Sequence, residues 1–153
     1  MRYVCVLAVA LVQFAVMTVD ADAQSPVPAD VAVATFTVDD DGDGVLRAAA
    51  DSCLERLVRG LKDKSIAVAR HSQLSEKTLK SAQPAPLAVL GHLSREKGLI
   101  QAELRLLEVG SGEEMRTYFN SDKDPGVIAD LGMAASARIA AVVQERKGAP
   151  PSH

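Results

Sequence analysis

Tryptophan is absent from the 153 residues, and the aromatics together make up 3% of them. That removes the stacking platforms on which bases and sugar rings are commonly held, and it leaves a core to be built from Ala, Val, Leu and Ile. A basic footprint is missing too. Lys and Arg number 17 against 20 Asp and Glu, a formal net charge of −3, which argues against nucleic acid as a partner. Cysteine is scarce: Cys5 lies in the leading segment and Cys53 is the other. A chain without its leader would close no internal disulfide, so its fold must stand on the core alone. Catalytic spacings are lacking as well. No His-x-x-x-His, Cys-x-x-Cys, Gly-x-Ser-x-Gly or phosphate-binding Gly-Lys-Ser/Thr occurs. His71 follows a predicted strand, His92 lies within one, and His153 ends the chain. Glu113 and Glu114 sit side by side, and adjacent strand residues point to opposite faces. The expectation is a protein that is not an enzyme and carries no cofactor.

What is present begins with the leader, "MRYVCVLAVALVQFAVMTVDADAQ". It has a basic start at Arg2, an apolar run from Val4 to Val19, and then Ala21-Asp22-Ala23, the small-x-small pattern a signal peptidase reads. Gln13 interrupts the run, which is marginal in length for a bilayer span. Residues 1–23 are therefore expected to be a signal peptide rather than an uncleaved anchor, with the exported protein starting at Gln24. That makes it periplasmic or secreted, with no stable membrane insertion after cleavage. Residues 24–30 read as a linker, 31–147 as one α/β domain, and 148–153 as a disordered tail.

Within the domain, the β-branched residues of 30–38 predict a buried strand. Leu46, Ala50, Cys53, Leu54, Leu57, Val58 and Leu61 then form one stripe of a helix over 46–62, with the charged residues off it. Residues 65–70 predict a second short strand, and 75–82 a short polar helix ended by Pro84 and Pro86. Strands over 87–95 and 99–109 are joined by Glu96-Lys97-Gly98, too short a connection for anything but antiparallel pairing. A turn at Gly110-Ser111-Gly112 leads to a strand over 114–120. Asp124 and Pro125 open a last helix to residue 146, whose apolar stripe is Ile128, Leu131, Ala135, Ile139 and Val142. The order is β-α-β-(short α)-β-β-β-α: a mixed sheet of about five strands with two main helices.

The loop Asp39-Asp40-Asp41-Gly42-Asp43-Gly44 begins as a calcium loop does, with acids at positions 1, 3 and 5 and glycine at 6. Position 12, which should supply the closing bidentate carboxylate, is Ala50. The residues before the loop read as a strand rather than an entering helix. Asp and Gly also suit an ordinary strand-to-helix turn, where an acid meets the helix dipole. The alternative to that structural role is a small exported calcium-binding protein using residues 39–44.

Three stretches carry a family resemblance: "VAVATF", "SIAVARHSQL" and "LAVLGHLSREKGLIQAELRLLEVGSGEEMRTY". In the last, Gly91, Ala102, Leu104, Glu108, Gly112 and Glu113 occupy the recurring places. The wording resembles the TolB N-terminal-like domain and its CsgG-type and LpoB-type periplasmic relatives, over roughly residues 31–145. Those places are structural. The chain departs from the pattern in a shortened second helix and in having no lipid-bearing cysteine after the leader. The resemblance implies a non-enzymatic envelope module that binds a protein partner in assembly, secretion or cell-wall machinery. With both long helices on one face of the sheet, the other face is expected to be partly open and lined by Gln101, Glu103, Arg105, Arg116 and Tyr118. Arg105, Arg116 and Tyr118 are the expected partner contacts, because Arg and Tyr often anchor interfaces.

Overall fold

The computed structural model describes residues 28–40 and 42–148. The expected leader, most of the linker, the tail beyond Gly148, and Asp41 lie outside the described residues.

Six strands form one mixed sheet: β1 (Val31–Ala34), β2 (Thr37–Val38), β3 (Val68–His71), β4 (Leu87–Glu96), β5 (Leu99–Glu108) and β6 (Glu114–Asp122). Their order is β3-β1-β4-β5-β6, with β2 also paired to β4. The pairs β1–β3, β1–β4 and β2–β4 are parallel, while β4–β5 and β5–β6 are antiparallel. Two helices, α1 (Gly44–Asp63) and α2 (Pro125–Gly148), cover one face, and a 3-10 helix (Glu76–Ala82) lies between β3 and β4.

The strand expected as one piece over 30–38 is broken into β1 and β2, and the register shows why. Val33 pairs with Val89 but Thr37 pairs with His92, so one extra residue is inserted on the first chain. The insertion lets both Val33 and Phe36 turn toward the helices. The Phe36 ring lies on Gly91, where an added Cβ would meet it at 2.3 Å. Large aromatic and bare backbone fit each other here, beside the extra residue that breaks the strand.

Asp43 starts α1. Its carboxylate accepts from the backbone N–H of Val45 and Leu46, both at 3.0 Å, which satisfies donors that a helix start leaves unpaired. Every residue of the expected α1 stripe is buried. Cys53 sits in its middle, fully enclosed, and burial pushes its thiol up to about 11. The α2 stripe is rotated from expectation. Ile128, Ala135 and Ile139 are buried as read, but Leu131 and Val142 are only half-buried, while Gly132, Ser136 and Val143 are inside. The cause is a close helix crossing. A Cβ on Gly132 would stand 2.1 Å from the Cys53 carbonyl, and one on Gly60 would stand 2.1 Å from Ser136 Oγ. By length and composition α2 could cross a membrane; here its buried side packs on α1 and the sheet.

Candidate functional site: the open face of the sheet

The face away from the helices is half covered. Ala32, Ala34, Ala88, Leu107 and Val109 on the sheet side meet Leu74, Leu79, Ala82 and Ala85 from the 3-10 segment in a second, smaller core. Where that segment begins, the cover stops. A groove of about 600 Å³ remains, with Thr37, Leu90, His92, Glu103, Arg105 and Lys77 among its lining residues.

Strand parity puts these side chains together. Gly91 pairs with Leu104 and faces the helices, so the flanking Leu90 with Arg105 and His92 with Glu103 face the groove. Arg105 is the best-held group there. Its Nε donates to Glu114 Oε2 at 2.6 Å, and its Nη1 pairs with Glu76 from the 3-10 helix. Those two bonds raise its pKa further above the ordinary guanidinium value. Glu114 in turn lies below the usual carboxylate range, held by the Thr117 hydroxyl and by Arg105. Arg105 thus pins the start of the 3-10 helix to β5 and β6 at the groove's rim.

The histidines were given no role by spacing, but β2–β4 pairing gives His92 two partners. Its Nδ1 lies 2.9 Å from Thr37 Oγ1 and its Nε2 lies 3.0 Å from Asp39 Oδ1. The Thr37 hydroxyl is also 3.3 Å from the Gly91 carbonyl. This is a cross-strand pair extended by one acid, on an exposed rim. Only the inserted residue between β1 and β2 makes it, and alternation read from sequence does not show that insertion.

Arg105, Arg116 and Tyr118 are not brought to one face. Leu104 pairs with Tyr118 and Leu106 with Arg116, so Arg116 and Tyr118 stand on the helix side of β6. Tyr118 packs beside Leu131 and Ala135 of α2 over a shallow hollow. Burial raises its hydroxyl pKa against the pull of Arg116 and Arg138. The open face of β6 instead carries Thr117, Phe119 and Ser121, opposite Arg105, Glu103 and Gln101. A bulge between Leu106 and Leu107 shifts the parity, leaving Glu114 on the open side where it reaches Arg105.

The acidic loop spends its described carboxylates within the fold. Asp39 holds His92, Asp40 accepts from the Gly42 N–H at 2.9 Å, and Asp43 caps α1 and binds Arg95 at 2.8 Å. Among the described residues, no group of three or more His, Cys, Asp or Glu is placed to hold a metal ion.

No family model and no curated protein matches the chain. Solved structures do. Protein XCC0632 from Xanthomonas campestris, described with the family model DUF330, aligns with a TM-score of 0.51 at 11% identity, over 80% of this chain and 90% of that one. The PelC dodecamer from Paraburkholderia phytofirmans gives 0.48 at 17% identity, over 70% of this chain and 84% of that one. TolB from Acinetobacter baumannii gives 0.47 at 16% identity, over 81% of this chain but 29% of its own length. At 11% identity the likeness to XCC0632 is one of fold alone; the mixed α/β sheet expected from the order of elements is the fold of this chain.

Proposed function

We propose that the chain is an exported, non-enzymatic accessory protein of the cell envelope that binds a protein partner through the groove around Arg105. The observation that carries this reading is the half-covered sheet face. The groove is open, mixes an apolar floor at Leu90 with charged groups of both signs, and is framed by Glu76, Lys77 and Glu103. An apolar hollow with a polar rim is what a protein contact uses. Arg105, fixed by two carboxylates, presents its side chain already ordered, so a partner would spend little entropy in meeting it. The leader with Ala21-Asp22-Ala23 supports export. Arg116 and Tyr118 belong to the β6 edge rather than to this groove.

A photo-crosslinking residue at Glu103 or Lys77 is expected to trap a discrete envelope protein in living cells. The same group at Arg59, exposed on α1, is not. Arg105→Ala should remove the adduct while lowering stability by no more than about 1 kcal/mol, because exposed ion pairs contribute little. Equal adducts from Arg59 and Glu103 would refute the groove as the contact.

A further inference from the structure

The two edges of the sheet are unlike. β3 gives one edge, 4 residues long and carrying Arg70 and His71; β6 gives the other, 9 residues long with neither proline nor glycine. Natural edges of that length are usually guarded by proline, bulges or inward charges. The single register shift of β6 lies at its start, and from Arg116 to Asp122 its pairing is regular. On the open face of this run stands Phe119, 58% exposed, the most exposed large apolar side chain among the described residues. On the helix side stand Arg116 and Asp122. The Arg116 guanidinium reaches only the Met115 carbonyl, at 3.4 Å, and the Asp122 carboxylate accepts only the Asp124 N–H, at 2.8 Å. Neither has an ion-pair partner among the described residues.

An edge with one unpaired cation and one unpaired anion on the same side can complement itself. When two copies pair antiparallel about a two-fold, facing residues must share parity, because the same alternate residues of each strand turn their N–H and C=O groups outward. An axis through Tyr118 sets Arg116 against Asn120 of the second copy and leaves Asp122 opposite the bulged start of the strand, with no cation facing it. An axis through Phe119 sets Arg116 beside Asp122 of the second copy, and Asp122 beside Arg116 of the second copy. The same register puts Thr117 beside Ser121 and Phe119 beside Phe119, on the open face. Opposite charges, hydroxyls and aromatics are the pairings that stabilise neighbouring strands. We propose that this protein forms a two-fold dimer by antiparallel pairing of β6 with β6 of a second copy, in the register centred on Phe119. The two sheets become one, and the exposed ring is covered by its own counterpart.

Charge reversal tests both the surface and the register. The full chain should sediment as a dimer. Arg116→Asp and Asp122→Arg should each weaken association by about tenfold or more, equivalent to about 1.4 kcal/mol, with thermal melts showing both variants folded. The two changes together should restore the dimer, because the pair is only turned around. Phe119→Cys should form a linked dimer under mild oxidation, since directly facing residues lie within disulfide reach; Tyr118→Cys and Asn120→Cys, each diagonal to itself, should not. A chain that stays monomeric at about 100 μM, far above the range of a specific contact, would overturn the proposal and leave the edge to a foreign strand. So would a dimer indifferent to Arg116→Asp, or one linked through Tyr118→Cys rather than Phe119→Cys.

Discussion

Asp43 caps α1 with one carboxylate oxygen and holds Arg95 with the other. The Arg95 bond, together with the Leu46 and Val45 N–H groups, keeps its carboxyl below the usual aspartate range. The folded state therefore prefers the charged form. Its contribution is present above the pKa of the unfolded chain, about 3.9, and is lost as pH falls through the lower folded value. Asp43→Ala should lower the melting temperature at about pH 7, and the gap to the parent should narrow as the pH approaches about 3, below the unfolded value. A gap that does not change with pH would mean the carboxylate charge contributes nothing. In the sequence, Asp43 stood out as an acid of a calcium-like loop and as one placed to meet the α1 dipole. Its second bond goes to Arg95, 52 positions away, which no local reading brings near. Cys53 was legible from sequence for the opposite reason, because its burial follows from helix periodicity alone.

At the scale of elements, periodicity was informative where one face is wholly apolar and silent where it is not. The α1 stripe and the β5 alternation, with Ile100, Ala102, Leu104 and Leu106 inside, were both readable and both hold. The side chains of β6 were not, since its sequence alternates no apolar residues and a bulge intervenes before Arg116. That is how Arg116 and Tyr118 came to be expected on the wrong face. The β4–β5 hairpin is a clearer case. Lys97 and Gly98 both have positive φ, 51° and 80°, between the paired Glu96 and Leu99. Two such residues make the turn whose twist suits a two-residue hairpin, and glycine or asparagine fits the first position better than lysine. Lys97→Asn should raise stability by about 0.5 kcal/mol, within the gain expected from relieving a strained backbone position. An unchanged or lower midpoint in urea would show that the Lys97 side chain matters more than its backbone.

Taken whole, the molecule is thick on one side and thin on the other. Helices α1 and α2 with the sheet enclose the main core, while the 3-10 segment closes only a minor one and leaves the groove. The order of elements and the sidedness were legible, because two long helices with apolar residues to bury leave only a short polar one for the other face. The depth of the helix contact was not. Gly132, Ser136 and Gly60 are small residues that hydropathy passes over, yet they set how closely the two helices approach. The whole arrangement then depends on a position without a side chain. In Gly132→Ala the new methyl would stand 2.1 Å from the Cys53 carbonyl and 2.9 Å from the Leu57 nitrogen. Backbone atoms cannot step aside as a flexible side chain would, so α2 must move off α1 and loosen the Leu57 and Ile139 packing together. Overpacking of this kind costs about 1–3 kcal/mol and a backbone clash lies at the upper end of that range, against the roughly 1 kcal/mol that alanine would gain over glycine by helix propensity. Gly44→Ala, where nothing lies within 4 Å, is the matched control and should be tolerated. Equal melting temperatures for the two variants would mean that the helices have room to spare, and that the sheet rather than the α1–α2 contact organises the core.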